Sequence, residues 1–133
     1  MQLKFLSVPV ADQEAALRFY TDILGFKKMA DFPVGDYRWL TVVSPDGIEG
    51  VELVLEPMAF PPAKVYQQAL FEAGIPAIAL ISQDIHADYA RLTRLGVVFR
   101  GEPQAAGPIL TALFEDTCGN LINLVQPLAG PAS

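Results

Sequence analysis

The chain repeats itself once, and this repeat limits its possible folds more than any other feature. Three landmarks recur: an aspartate suited to cap a helix, a glycine suited to end it, and a glycine in a later turn. The offsets are 72 residues from Asp12 to Asp84, 71 from Gly25 to Gly96, and 72 from Gly47 to Gly119. A near-constant offset predicts two copies of one structural module.

The first copy predicts a strand, a helix and three further strands. A β-rich apolar run covers 3–10, and Asp12 caps a helix that stops at Gly25. The next strands are predicted at 26–30, 37–43 and 50–56, with a turn at 44–47. The first copy is therefore β-α-β-β-β.

The second copy predicts the same order after a helical connector. Pro61 and Pro62 suit the first turn of a helix that stops at Gly74, with Val65 and Tyr66 on its apolar face. The second module has strands at 77–82, 97–100, 109–115 and 121–125, and a helix from Asp84 to Gly96. We expect one α+β domain over 1–133: module one at 1–57, connector at 58–75, module two at 76–128, and a short tail at 129–133. Edge-to-edge sheets would then form a curved mixed sheet around a cleft.

Composition narrows the partners. With 133 residues the chain suits one compact domain. Nine Lys and Arg against fifteen Asp and Glu give a net charge of -6, which disfavours nucleic acid and favours a neutral or cationic small molecule. The longest apolar run, 73–81, is about half the length of a membrane span, so no membrane partner is expected. The first residues read into a strand without the pattern of a secretory signal, which favours the cytoplasm.

The single cysteine and single histidine offer little chemistry. Cys118 excludes an intrachain disulfide, and as a turn thiol without a neighbouring base it is interpreted as structural. His86 follows a helix cap and is interpreted as solvent-facing, with a subunit contact as the alternative. The chain contains no glycine-rich phosphate loop and no nucleophile elbow.

Three sequence blocks resemble the vicinal oxygen chelate superfamily, which includes glyoxalases, bleomycin resistance proteins and extradiol dioxygenases. FYTDILGF at 19–26 is similar to the family's "FYxxxLGF" helix end. QDIHADYARL at 83–92 and FEDTCGNLINL at 114–124 resemble its "DDxxAxYxxLxxxGV" and "DPDGNxIEL" blocks. The resemblance covers nearly the whole chain. It implies two βαβββ modules around a cleft and, commonly, a homodimer.

The resemblance also implies where a divalent metal would bind. Metal-dependent members take a His from the first strand and a Glu from the last strand of each module. These positions fall on Phe5, Glu52, Ala77 and Asn123, so one of the four usual ligands is kept. We therefore expect no metal or other cofactor, with a divalent metal as the alternative.

The candidate ligand-binding residues are Phe5, Ser7, Trp39, Glu52, Ala77 and Asn123. Phe5 and Ser7 share a strand face, and the apolar Phe5 and Ala77 suit the floor of a binding pocket. Trp39 suits stacking on a planar or cationic ligand. For each of these residues a core, interface or solvated position stays open. Glu52 is also the candidate catalytic base.

Two functions follow as hypotheses. The first is a metal-free protein that binds an aromatic or cationic small molecule and sequesters it. The alternative is a lyase, isomerase or dioxygenase that uses Glu52 or an unusually ligated metal. A third, plainer possibility is a filled cleft in a dimeric partner protein. Tyr66 and Phe71 on the connector helix suit either the roof of a pocket or a subunit contact.

Overall fold

The first module follows the predicted order in the computed structural model, which describes residues 1–128. Its elements are β1 (Phe5–Val10), α1 (Gln13–Arg18), a π-helical turn (Phe19–Ile23), β2 (Lys27–Val34), β3 (Tyr37–Val43) and β4 (Glu52–Pro57). The carboxylate of Asp12 accepts the N–H of Ala15 at 3.0 Å, as a helix cap does. Gly25 has a φ of +81°, a conformation in which a glycine ends a helix without strain.

The second module repeats this order after the connector helix. Its elements are α2 (Pro61–Glu72), β5 (Ile78–Ile81), α3 (Ile85–Arg94), β6 (Gln104–Ala106), β7 (Ile109–Glu115) and β8 (Leu121–Pro127). Asp84 caps α3, because its carboxylate accepts the N–H of Ala87 at 3.1 Å. Two helix caps at equivalent positions confirm the repeat that the sequence predicts.

Each module forms its own four-stranded mixed sheet. The strand order is β1-β4-β3-β2 in the first sheet and β5-β8-β7-β6 in the second. In both sheets the first strand of the module runs parallel to the last, and the other neighbours are antiparallel. The α+β class with two βαβββ modules is confirmed. Within residues 1–128 no strand pairing joins the two sheets, so the mixed sheet consists of two halves.

One face of each sheet packs on the helices, and these two faces share a single core. Buried members from the first sheet include Val8 and Leu40, and those from the second include Phe114 and Ile122. The ring of Phe19, just past α1, lies 6.4 Å from that of Phe114. Side chains alternate along a strand, so the opposite face of each sheet points away from this core. We call these the open faces.

A buried polar junction ties the modules to the connector. The hydroxyl of Tyr20 donates to Asp116 Oδ2 at 2.9 Å. The amide of Gln67, on α2, donates to the carbonyl of Pro9 at 2.9 Å, and Asn120 Nδ2 donates to the same carbonyl at 2.7 Å. The buried polar groups of module one, the connector and module two therefore satisfy one another's hydrogen bonds away from water.

The predicted strand at 97–100 is wrong in its extent. Only Phe99 forms a bridge, to Phe114, although the N–H of Arg100 still donates to the carbonyl of Leu113 at 2.8 Å. The second strand of this module, at the edge of its sheet, is Gln104–Ala106 instead. Gly101 has a φ of +151° and Pro103 follows it, so the chain turns before a longer ladder forms.

The connector helix buries a polar side chain and exposes the apolar face that the sequence predicts. Gln67 is its one buried residue, whereas Val65 is 70% and Tyr66 is 66% exposed. Phe71 is partly covered by the guanidinium of Arg100, 4.9 Å from its ring centre. The hydrogen bonds of Gln67 therefore orient α2, and the apolar face of α2 is left to solvent.

The helices are short. The longest of those described, α2, has 12 residues. A membrane-spanning helix requires about 20 predominantly apolar residues. None of the helices within residues 1–128 has the length and apolarity to cross a membrane.

Candidate functional site

Glu52 is an almost buried carboxylate on the open face of the first sheet. It begins β4 beside Phe5 of β1, and only 7% of it is exposed. The hydroxyl of Thr41 donates to Oε1 at 2.6 Å. The ammonium of Lys4 lies 3.0 Å from Oε2. Both carboxylate oxygens therefore have a partner.

These partners make Glu52 a weak base. The hydrogen bond from Thr41, followed by that from Lys4, holds the pKa of Glu52 below its usual value, against the opposing effect of burial. A general base works best when its pKa lies near the working pH. The arrangement thus suits Glu52 to a fixed negative charge more than to proton abstraction.

A run of aromatic side chains begins beside Glu52, the strand partner of Phe5, and continues over β3 and β2. The rings of Phe5 and Trp39 meet edge to face, with centres 5.3 Å apart and an interplanar angle of 82°. Trp39 pairs with Phe32 across β2 and β3. Phe5 is 45% exposed, and Phe32 and Tyr37 are similarly open to solvent. We call these four residues, Phe5, Phe32, Tyr37 and Trp39, the aromatic strip.

Ser7 lies on the same face but does not present a free hydroxyl. Its Oγ donates to Glu56 Oε1 at 3.2 Å. Glu56 follows Glu52 by four residues, which is two strand repeats, so the face carries a second carboxylate. The structure therefore brings Phe5, Ser7, Trp39 and Glu52 together, as the sequence predicts for one half of a site.

The second sheet carries a neutral counterpart of Glu52. Asn123 in β8 is half-buried, and the hydroxyl of Thr111 donates to its Oδ1. The strand register pairs Asn123 with Ala79 of β5. Ala77 lies just before β5, where its N–H donates to the carbonyl of Leu121 at 2.8 Å. Ala79, not Ala77, therefore occupies the position beside Asn123 that Phe5 occupies beside Glu52.

Each half contains an equivalent hydrogen bond between a threonine and a side chain of the last strand. Thr41 is aligned two residues past Glu52 on the neighbouring strand, and Thr111 is aligned two residues past Asn123. Each threonine donates to the side chain of the last strand. The repeat thus extends from the backbone to a hydrogen bond in each open face.

A protein-family model matches nearly the whole sequence. The model, described as the glyoxalase/bleomycin resistance protein/dioxygenase superfamily, matches residues 2–124. The chain belongs to this superfamily. The resemblance of the three sequence blocks is thereby confirmed.

Similar members of the superfamily span the same length. Protein YurT of Bacillus subtilis (strain 168) is 48% identical over 126 residues, which cover 95% of this chain and 99% of YurT. The crystal structure of UcmS2 has a TM-score of 0.80 and 32% identity, covering 94% of this chain and 97% of UcmS2. TnmS3, an antibiotic binding protein from Streptomyces sp. CB03234, has a TM-score of 0.76 and 34% identity, covering 96% of both chains.

The residues at the superfamily's metal positions do not fit a divalent metal. Phe5 and either alanine, Ala77 or Ala79, have no side-chain donor atom. Glu52 has both oxygens engaged, one of them by an ammonium that opposes a second cation. Asn123 offers one neutral carbonyl. A hard divalent cation prefers six or more oxygen ligands, several of them charged, and softer metals prefer imidazole or thiolate.

Sequence reasoning missed three polar residues of the site. Thr41 lies two positions after Trp39, so strand alternation places both on one face, and this signal was sufficient to find it. Thr111 has the same relation to its own strand. Lys4 precedes β1, and strand alternation places it opposite Phe5, so only the fold reveals that its side chain returns to Glu52.

The remaining candidate residues have structural settings. His86 is exposed on α3, as expected from its position after the cap. Cys118 is 2% exposed, and burial, with the nearby charge of Asp116, raises the pKa of its thiol to about 11. A buried thiol with a raised pKa is a poor nucleophile. The structural interpretation of Cys118 therefore agrees with its setting.

Proposed function

We propose that the protein binds an aromatic small molecule on the open face of its first sheet, without a divalent metal. The aromatic strip carries this proposal, because it exposes several rings on one sheet face, at whose end the buried carboxylate of Glu52 pairs with the half-exposed Lys4. Such a surface offers large apolar area with a few fixed polar groups, the usual composition of a small-molecule site. The likeness to TnmS3, an antibiotic binding protein, supports the same class of function.

Calorimetric titration with naphthalene-2-methanol, a neutral planar probe, tests the proposal. Loss of a ring contact of about 1.4 kcal/mol weakens binding tenfold. We therefore expect Phe5→Ala and Trp39→Leu each to weaken binding by about tenfold. Leu95→Ala removes an exposed apolar side chain after α3, outside the aromatic strip, and is the control. Equal affinity in all four proteins would contradict the proposed site.

Catalysis by Glu52 is the weaker alternative. Its lowered pKa makes it a poor proton acceptor near neutral pH. If the residue acts only as a fixed charge, Glu52→Gln keeps the affinity for the neutral probe within a few-fold. A turnover of any glyoxalase-type substrate that Glu52→Gln abolishes would favour the enzyme instead.

We also propose that the protein forms a homodimer through the apolar face of α2. Phe60, Val65 and Tyr66 are each about two-thirds exposed. Val65 and Tyr66 line one apolar surface with Pro61, Pro62 and Ala69 on this helix. Contiguous apolar surface of this kind commonly marks an interface. Val65→Glu with Tyr66→Glu should convert a dimer to a monomer in sedimentation equilibrium, whereas Lys64→Glu, on the opposite side of the helix, should not. A monomeric wild-type protein would refute this proposal.

The proposed location is the cytoplasm. Fractionation of the cells that express the protein tests it. Recovery with secreted or membrane proteins would contradict the proposal.

A further inference from the structure

The backbone of Lys4 is hydrogen-bonded beside Glu52, and its ammonium pairs with the Glu52 carboxylate. The N–H of Glu52 donates to the backbone carbonyl of Lys4 at 2.9 Å, which extends the pairing of β1 and β4 by one step. The side-chain nitrogen then reaches Glu52 Oε2 at 3.0 Å. It lies 5.8 Å from the centre of the Phe5 ring, so the charge borders the aromatic strip.

The ion pair leaves donors, not acceptors, available to a ligand. Glu52 uses one oxygen for Thr41 and the other for Lys4, and its side chain is 9% exposed. The ammonium of Lys4 has three N–H donors, and its side chain is 49% exposed. Within residues 1–128 its one ion-pair partner is Glu52. Two N–H groups therefore remain for a ligand or water.

We infer that the ammonium of Lys4 replaces the superfamily's divalent metal as the fixed positive charge of this site, and that it selects planar aromatic ligands carrying an acceptor oxygen. The inference rests on the proposed binding function and names its ligand class: aromatic carboxylates, phenolates and carbonyl compounds. An ammonium beside a carboxylate, phenolate or carbonyl oxygen forms a charge-assisted hydrogen bond, which is roughly twice as strong as a neutral one.

The second sheet also presents a hydrogen-bond donor on its open face. Asn123 accepts from Thr111 through Oδ1, so its amide N–H₂ group faces away from that bond. Within residues 1–128 this amide group donates to no other protein group. Each last-strand position thus has a donor on its open face: the ammonium of Lys4 beside Glu52, and the amide N–H₂ of Asn123 itself. Glu56 is the competing acidic group on the first face, and it is partly satisfied by Ser7.

Three naphthalene probes that differ in one substituent test the inference: 2-naphthoate, naphthalene-2-methanol and 2-naphthylmethylammonium. Each is titrated by calorimetry in buffer with EDTA, which removes metal as a source of positive charge. For the wild-type protein we expect 2-naphthoate to bind about tenfold more tightly than the alcohol, and the ammonium probe to bind most weakly. Lys4→Met exposes the charge of Glu52, so the order should reverse. Lys4→Met with Glu52→Gln removes both charges and should abolish both preferences.

Lys64→Met removes an exposed lysine of α2 and is the matched control, with the wild-type order expected. The double variant also guards against misfolding, because it leaves no unpaired buried carboxylate. If the alcohol binds but Lys4→Met keeps the preference for 2-naphthoate, the role of Lys4 is refuted and the proposed function stands. A wild-type preference for the ammonium probe refutes the ligand class in the same way. If none of the probes binds, the proposed function fails and this inference fails with it.

Discussion

Gly119→Ala should be among the most destabilising single-methyl changes in this chain. Gly119 has a φ of +99°, where an L side chain is strained. A Cβ atom built there would lie 2.8 Å from Gln67 Cδ and Oε1. The Gln67 amide cannot simply swing away, because it donates to the carbonyls of Pro9 and Cys118 and to Asn120 Oδ1. The methyl group therefore strains the backbone and displaces a buried amide.

The expected loss is about 3 kcal/mol. The left-handed conformation costs a non-glycine residue about 1–2 kcal/mol. Moving Gln67 breaks one or two buried hydrogen bonds, each contributing about 1 kcal/mol. An unfolding entropy of about 2.1 cal/mol/K per residue over 133 residues gives about 4 °C per kcal/mol, so Tm should fall by about 10 °C.

Urea unfolding followed by far-ultraviolet circular dichroism measures this loss. Gly47→Ala is the matched control from the other half of the repeat, because that methyl group meets only Ser44, at 3.1 Å from its Cβ. We expect a loss of about 1 kcal/mol or less there. In a Gln67→Ala background, Gly119→Ala should cost only its backbone strain. Equal losses for the two glycine variants, or strict additivity with Gln67→Ala, would refute the reasoning.

Three further predictions test the junction and the surface. Tyr20→Phe removes the buried hydrogen bond to Asp116 and should lower the free energy of unfolding by about 1.5–3 kcal/mol in urea titrations; a change below 0.5 kcal/mol would contradict this. Arg38 hydrogen-bonds Asp31 and lowers the pKa of its carboxyl, so the ion pair stabilises the folded state. This contribution to the free energy of unfolding is complete above the unfolded pKa of about 4, and it is lost as the pH falls through the lower folded pKa. Wild type should therefore exceed Asp31→Asn in stability at pH 7 and converge with it in acid; a constant difference would argue against the ion pair. The buried thiol of Cys118, with its pKa of about 11, should react with DTNB only as fast as the protein opens, and immediate labelling in native buffer would show it to be accessible.

The fold was predictable because its signals are local. Asp12 and Asp84 cap helices within three residues of themselves, and the glycines that follow end those helices by their own conformation. The prediction failed at 97–100, where the outcome depends on a distant partner. Phe99 packs on Tyr89, with ring centres 4.7 Å apart, and on Phe114, so its apolar character reports core packing and not a strand.

The candidate site was only half predictable, because strand register is a long-range property. The neighbours Phe5 and Glu52 were found together on the first sheet. On the second sheet, counting from the helix cap gives Ala77, whereas the ladder with β8 selects Ala79. The loop before β4 and the loop before β8 differ in length. Counting a constant offset from the helix caps therefore does not give the strand register in both modules. Lys4 was missed because it lies outside its strand.

The proposed binding of oxygen-bearing ligands without the superfamily's metal rests on the polarity of the open faces. A metal site of this superfamily directs lone pairs from its side chains toward a central cation, and the cation then holds the ligand's oxygens. In this chain each carboxylate oxygen of Glu52 accepts one hydrogen bond, from Thr41 or from Lys4, and the carbonyl oxygen of Asn123 accepts one from Thr111. On the proposed function the polarity toward the ligand is inverted, since the ammonium of Lys4 and the amide N–H₂ of Asn123 retain donors for it. The proposed ligand class follows from this inversion: an aromatic oxygen acceptor can be held directly, whereas a cation would have to displace Lys4 first.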